Sequence, residues 1–269
     1  MAPVETGASG IDGAKLAVTV LMIRDAPDGI EVYVQERVST MPTFPNTTVF
    51  PGGGVDPRDF ETGDFQSMRS LIAGASLSRW AKALHADEAR ARALLFAAVR
   101  ELFEETGTLL AVHKDGTPVT DATAYHPQRL ALESHRHSLT QMLSNNELKI
   151  RSDLLRPFAR WVSLPEDPYH FDVFSFVAVA PYGQEPDGNT REAASSGWFP
   201  PSLILDGWRA GLLRLVIPTW AQLTKLSKFD SVEEVMNALR TADMTPHYGR
   251  ITEDPDFAQF HNHVPPKRF

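Results

Sequence analysis

The stretch "DEARARALLFAAVRELFEETG", residues 87 to 107, constrains the fold more than any other part of the chain. Asp87 reads as an N-cap with Glu88 in the first turn, and Gly107 is a natural helix stop, so one long helix is expected between them. At about 100° per residue, Ala91, Leu95, Ala98, Val99, Leu102 and Phe103 share one broad arc. Glu101, Glu104 and Glu105 fall on the adjoining arc, at i, i+3 and i+4, so their side chains converge over one patch. The helix therefore has a buried face and an acidic one. Three carboxylates that close repel each other unless a cation sits among them. Magnesium or manganese suits such a patch, since both are hard cations that take oxygen ligands and keep waters for a phosphate to replace. Arg100, four residues before Glu104, is placed to fix a carboxylate's orientation. Taken alone, the patch also fits a solvated helix face with one surface ion pair.

A second feature changes that balance. "FPGGG", residues 50 to 54, is by itself an ordinary turn, but its bare carbonyls can also reach a metal or a phosphate. A glycine loop followed by a helix carrying Arg-Glu-x-x-Glu-Glu and closed by Gly is seldom assembled by chance. The glycines then form one wall of a metal site whose other wall is the helix.

Around these two features the chain alternates between strand and helix patterns. "KLAVTVLMI" (15 to 23) and "IEVYVQER" (30 to 37) read as a β-hairpin turned by Pro27, Asp28 and Gly29, and "TTVF" is a short strand running into the glycines. Residues 57 to 87 are polar and then weakly helical, with "SLSRWAKALHA" as one helix. "PQRLALESHRHSLTQMLSNNEL" looks helical, "FARWVSL" and "HFDVFSFVAVA" look like strands, and the region after Pro200 is mostly helical, ending in an irregular tail. Trp80, Trp161 and Trp198 read as core or core-edge anchors, "WAQLTKL" as a packing helix, and His135 and His137 as surface residues. The expected fold is α+β (mixed α/β), a single domain over 1–269 with a helical C-terminal extension.

Several function classes are disfavoured. The chain has no cysteine, which removes disulfides, thiolate zinc sites and cysteine nucleophiles. Its formal net charge of −8 argues against a nucleic-acid partner held by a basic surface, and makes an anionic substrate depend on metals or a few placed cations. "LAVTVLMI" and "FDVFSFVAVA" are too short to span a bilayer, and "MAPVETGASGIDGAK" lacks the pattern of a signal peptide. "PPKRF" at the end is not an "SKL"-type address. The expectation is a soluble, cytoplasmic protein without a membrane partner.

The residues described above resemble the signature of the Nudix hydrolases, G-x5-E-x7-R-E-U-x-E-E-x-G-U, where U is a bulky aliphatic residue. Gly53 matches the first Gly, Arg100 and Glu101 the Arg-Glu pair, Leu102 the first aliphatic, Glu104 and Glu105 the Glu pair, and Gly107 the last Gly. Thr108 replaces the final aliphatic, and 46 residues separate Gly53 from Arg100 where the family has 13, an insertion of about 33. Asp59 sits at the nominal spacing of the early Glu, in a register the insertion leaves open. A long insertion here is similar to the branch that includes peroxisomal coenzyme A diphosphatases. "RVSTMPTFPNTTVFPGG", "LLRPFARWVSLPEDPYHFDVFSFVAV" and "EAASSGWFPPSLIL" extend the resemblance over roughly 15 to 205. In coenzyme A members an Arg-Ser pair precedes the box. Arg37 occupies the Arg place, with Val38 beside it and Ser39 one step late.

The resemblance implies a Nudix-type α/β/α sandwich with a core at about 15–205, an insertion at about 57–87 and an extension at about 201–269. It implies Mg2+ or Mn2+ held by Glu101, Glu104, Glu105 and the Gly52 carbonyl, and hydrolysis of a diphosphate linkage in a small nucleoside diphosphate derivative by attack of water on phosphorus. Glu101 and Glu192 are the two candidates for the base, with Arg100 assisting, although Glu192 also fits a surface loop. Arg37 and Gly53 are candidate substrate contacts, and Arg37 could instead pair with Glu36 or another carboxylate. Coenzyme A or an acyl-coenzyme A, ADP-ribose and dinucleotides would all present the same diphosphate. A Nudix-fold nucleotide-binding or regulatory module without turnover is the alternative of another class, and a homodimer is plausible within the family.

Overall fold

Alternation along the first strand decides which way each of its side chains faces. In β1 (Lys15–Ala26), Leu16, Val18, Val20 and Met22 point to one side of the sheet, and Leu21 and Ile23 to the other. The computed structural model describes residues 9–60, 71–248 and 255–264, so part of the N-terminal segment, residues 61–70 of the insertion and the final "PPKRF" lie outside the described residues. β1 turns through Pro27 and Asp28 into β2 (Gly29–Arg37), the expected hairpin, with Ala26 opposite Gly29. β3 (Thr48–Val49) pairs with β2, and the glycines themselves form β4 (Gly52–Gly54), antiparallel to β1 with Gly53 opposite Val18. The remaining strands are β5 (Ile72–Ala73), β6 (Ala111–His113), β7 (Leu148–Arg151), β8 (Leu155–Val162), β9 (Phe171–Val179), β10 (Ala193–Phe199) and β11 (Pro246–Tyr248).

The main sheet runs β10-β2-β1-β9-β8-β11, and β5-β7-β6 form a small second sheet. The central β1–β9 pair is parallel over its whole length and β8–β9 is antiparallel, so the sheet is mixed. The helices are α1 (Leu77–Ala83), α2 (Glu88–Thr106), α3 (His126–Glu133), α4 (Leu139–Asn145), α5 (Pro201–Arg209), α6 (Ile217–Leu226), α7 (Val232–Ala238) and α8 (Ala258–His261). α2 packs Leu95, Val99, Leu102 and Phe103 against Val18, Val20, Phe174 and Phe176 on one face of the sheet. On the other face Ile204, Trp208, Trp220, Leu223 and Val235, from α5, α6 and α7, cover Leu21, Ile23 and Val177. This is the expected α/β/α sandwich. Among the described residues, no helix is long and apolar enough to cross a membrane.

Three local expectations were altered by tertiary contacts. The acidic arc of α2 is not solvated, because Glu101 and Glu105 are only 8% and 7% exposed. The segment from 127 to 148 is two helices rather than one. His135 adopts a left-handed φ of 56° between them, and Ser138 with Gln141 forms a capping box that starts α4. The tail is not wholly irregular. β11 adds in parallel to β8, and Phe257 and Phe260 pack on Trp161, Trp208 and Trp220, contacts between short elements that leave no periodic trace in sequence.

One buried ion pair anchors the sheet centre. Asp172 is fully buried, receives two hydrogen bonds from Arg160 at 2.8 and 2.6 Å, and lies so close to Gly10 that a Cβ there would collide with it. Replacing Asp172 with Ala strands a buried guanidinium. Urea denaturation of Asp172→Ala should show a loss of about 3–5 kcal/mol, and no measurable change would mean that Arg160 finds another partner.

Candidate active site

The site is built where β4 meets the last two turns of α2. Asp87 caps the start of α2 by accepting from the Arg90 amide, and Gly107 ends it in the left-handed region at φ 72°. Arg129 of α3 secures that C-terminus from outside, donating to the Glu104 carbonyl at 2.9 Å and to Asp187 at 2.6 Å. The helix is thus held at both ends while its acidic arc turns toward β4. Gly53 is as close to that arc as a residue can be, since a Cβ added to it would lie 2.6 Å from Glu101 Oε2. A Cβ at Gly52 would collide with the Val18 carbonyl. Both glycines are needed because backbone, not side chain, occupies this gap.

Arg100 sits at the centre of the cluster and is 4% exposed. Its Nε and Nη2 grip the two oxygens of Asp59 at 3.1 and 2.9 Å, Nη2 also donates to the Gly54 carbonyl at 2.9 Å, and Nη1 reaches Glu101 at 2.6 Å and Glu104 at 3.4 Å. Asp59 thus lies where the nominal spacing from Gly53 puts it, despite the long insertion that follows. It was visible in the sequence only through that spacing. Arg129 and Asp187, by contrast, carried no sequence signal, because their role exists only once α3 and the loop before β10 fold against the end of α2.

At the rim stand Arg37 and Glu192. Arg37 ends β2, donates to the Thr43 carbonyl at 3.1 Å and pairs with Glu192 at 3.5 Å, whereas Glu36 accepts from Ser195. Glu192 is half-exposed and close enough for its charge to act on both Glu101 and Glu105. The candidates are therefore gathered in one place. Gly52, Gly53, Arg37 and Glu192 also line a cavity of about 1070 Å³ on the sheet face opposite α2.

The electrostatics are unbalanced. Asp59, Glu101 and Glu104 surround one buried guanidinium, Glu105 adds a fourth carboxylate near Glu101, and Arg37 is already shared with Glu192. Burial pushes Glu101 and Glu105 up from the usual carboxylate range, Arg100 opposing it for Glu101, and the neighbouring charge of Glu101 pushes Glu105 further. Burial likewise pushes Glu104 up to about 8, against the pull of Arg100. Glu104 Oε1 is buried with no hydrogen-bond partner, and Glu105 accepts from the Gly52 amide. Among the described residues no three acidic or histidine groups already form a metal shell, because Arg100 Nη1 lies against both Glu101 and Glu104. The donor chemistry nevertheless fits a hard divalent cation, with all-oxygen ligands, excess negative charge and one unsatisfied carboxylate oxygen.

Comparison with known proteins bears on the fold and the family. No family model matches the chain. A Caenorhabditis elegans protein described as nudix hydrolase 7 is 27% identical over 197 residues, covering 73% of this chain and 56% of that protein. Acyl-coenzyme A diphosphatase NUDT19 of Xenopus laevis is 20% identical over 234 residues, covering 76% of this chain and 62% of that protein. The chain thus spans somewhat more than half the length of these curated relatives. Among solved structures, the crystal structure of a NUDIX hydrolase from Alicyclobacillus acidocaldarius superimposes with a TM-score of 0.72 at 28% identity, covering 86% of this chain and 98% of that one. The sandwich, the glycine strand and the Arg-Glu helix define a Nudix-type fold. In sequence and in fold the chain is similar to Nudix hydrolases.

Two substitutions test the geometry. Asp59→Ala should cost about 3–5 kcal/mol in urea denaturation, as expected for breaking a buried pair, whereas a loop residue without this role would change stability by less than about 0.5 kcal/mol. Gly53→Ala should lower thermal stability through its clash with Glu101, and an unchanged melting temperature would show that the carboxylate moves aside freely.

Proposed function

We propose that the protein is a divalent-cation-dependent pyrophosphohydrolase that cleaves the diphosphate linkage of a nucleoside diphosphate derivative. The observation that carries this reading is the buried excess of carboxylate beside a glycine strand that opens onto a large cavity. Such a cluster is costly to bury and repels a diphosphate, and both problems are removed when Mg2+ or Mn2+ occupies it. Glu101, Glu104, Glu105 and the Gly52 carbonyl would hold the cation. When bound, it neutralises the diphosphate and lowers the pKa of a water.

The chain's own groups supply the rest. Arg100 orients Glu101 and Glu104, and Asp59 keeps Arg100 from turning away. The absence of side chains at Gly52 and Gly53 lets the Val18 backbone and the Glu101 carboxylate close on this strand. Arg37, at the rim, is the group to meet a phosphate oxygen, and such a contact would draw it from Glu192. A proton from the attacking water passes to Glu101 or, once released from Arg37, to Glu192, and the P–O bond to the leaving phosphate breaks.

Coenzyme A or an acyl-coenzyme A is the substrate reading we favour within this class. It is supported by the likeness to the acyl-coenzyme A diphosphatase from Xenopus, by the long insertion, and by a cavity with mostly apolar walls that would suit a long uncharged arm. ADP-ribose and dinucleotides share the same diphosphate and form the comparison set. Incubation with Mg2+ or Mn2+ and coenzyme A, acyl-coenzyme A, ADP-ribose, NADH and diadenosine polyphosphates tests the proposal. Metal-dependent cleavage of at least one is expected, and Glu104→Gln with Glu105→Gln should lower kcat/KM by about 10²–10⁴. Metal binding without any turnover across the panel would instead favour a nucleotide-binding module.

The acid cluster also predicts how stability depends on pH. Glu104 ionises at about 8 in the fold against an ordinary value of 4.5, so the folded protein holds an extra proton between these values. Its contribution to stability is present below about pH 4.5 and is lost as pH rises toward 8. In the metal-free protein the melting temperature should therefore fall across this window, and Glu104→Gln should flatten the fall. Added Mg2+ should raise the melting temperature most above pH 8. A metal-free melting curve flat in pH would refute the buried-charge account.

A further inference from the structure

A strained phenylalanine stands at the mouth of the cavity. Phe44, in the loop between β2 and β3, lines the cavity, is 42% exposed and lies in the left-handed region at φ 49°. That region is disfavoured for a bulky residue, and a ring so exposed gains little from packing to offset it. The conformation is nevertheless fixed from two sides. Arg37 holds the preceding residue, its Nε donating to the Thr43 carbonyl at 3.1 Å and its Nη2 to Thr43 Oγ1 at 3.4 Å. Tyr169, in the loop between β8 and β9, donates its hydroxyl to the Pro42 carbonyl and sets its ring against Phe44. This second loop is itself ordered, because Ser163 Oγ donates to the Tyr169 carbonyl at 2.7 Å and the Leu164 amide to Asp167 Oδ2 at 2.8 Å. Strain held in place beside a cavity is the mark of a surface pre-formed for a ligand.

The chemistry of that surface is aromatic. Tyr169 also lines the cavity and is 37% exposed. Among the described residues, the only ring contact that either makes is with the other, at 5.7 Å between centroids and 58° between planes. Other cavity-lining rings are already covered, since Phe50 and Trp161 are buried and Phe260 stacks on Trp208. Phe44 and Tyr169 therefore form a corner of two open ring faces. An aliphatic group gains there only what any apolar wall supplies, whereas a flat ring with its own π-face also gains stacked and edge-to-face contacts. Arg37, the group proposed to meet a phosphate oxygen, is the one that holds Thr43, so the corner adjoins the place of the diphosphate.

We propose that Phe44 and Tyr169 are specificity-determining residues, and that they hold the flat heteroaromatic ring of a group flanking the diphosphate. This rests on the diphosphatase reading for what lies at Arg37, but not for the ring at Phe44. An adenine base and a nicotinamide ring share the required chemistry.

The test uses fragments without phosphate, so that neither metal nor turnover is needed. Ligand-observed NMR titrations of the full metal-free chain would compare adenosine, nicotinamide riboside, ribose and pantetheine. Phe44→Leu keeps apolar bulk and removes the π-face, whereas Phe44→Trp enlarges that face. Wild type should bind adenosine or nicotinamide riboside and not ribose, and which of the two binds identifies the ring. That binding should weaken about tenfold in Phe44→Leu and persist in Phe44→Trp. Tyr169→Leu should weaken it as well, and carries the test if Phe44→Leu fails to fold. Pantetheine, an aliphatic arm, should not distinguish wild type from Phe44→Leu. The proposal is overturned if neither ring binds wild type, if the leucine variants bind it as tightly, or if pantetheine loses as much as the ring. In turnover with Mg2+, Phe44→Leu should raise KM about tenfold and leave kcat within about twofold. If no diphosphate is cleaved, the fragment titrations still decide the role of Phe44, so the two readings fail separately.

Discussion

The guanidinium of Arg100 is the contact on which the rest of the site depends. It is almost fully buried and touches Asp59, Glu101, Glu104 and the Gly54 carbonyl at once. Those four partners come from three places in the chain: the glycine strand, the short turn after it and the central helix. A lysine could not replace it, because a single ammonium lacks the planar fork that grips both Asp59 oxygens while reaching three more groups. One buried cation among several carboxylates also leaves a negative remainder. On the proposed reading, that remainder is the charge a divalent ion would balance.

The sheet divides the labour between its faces. On one side, Val18, Val20, Phe174 and Phe176 hold α2 at a fixed depth, which sets the reach of Glu101 and Glu105 toward Gly52 and Gly53. On the other side, the C-terminal helices cover the large residues of β1 and β9 and leave a cavity over the small ones. β4 is the edge at which both faces meet, and glycine is required there because backbone passes within contact distance of both Val18 and Glu101. Chemistry and recognition are thus assigned to different layers. The C-terminal extension, which covers the cavity face, can vary the second without disturbing the first.

The likeness to a solved Nudix hydrolase extends over nearly the whole of that structure. The walls of the cavity are largely apolar, with Ser175, Thr219 and Gln222 among their buried polar residues.

Local pattern alone determined the hairpin, the capped helix from Asp87 to Gly107 and the convergence of three glutamates, because each depends on spacing within a few turns of chain. The Arg-Glu-x-x-Glu-Glu run and the glycine strand together carried the resemblance to the Nudix hydrolases. Only the tertiary structure decided that the acidic arc is buried, that Asp59 holds Arg100 across the insertion, and that Arg37 pairs with Glu192. The same holds for Arg129 at the helix end. Each of these joins residues distant in sequence, and no periodicity records such a meeting. Burial in particular is a property of what covers a side chain. For Glu101 and Glu105 the cover is a glycine strand almost fifty residues earlier in the chain.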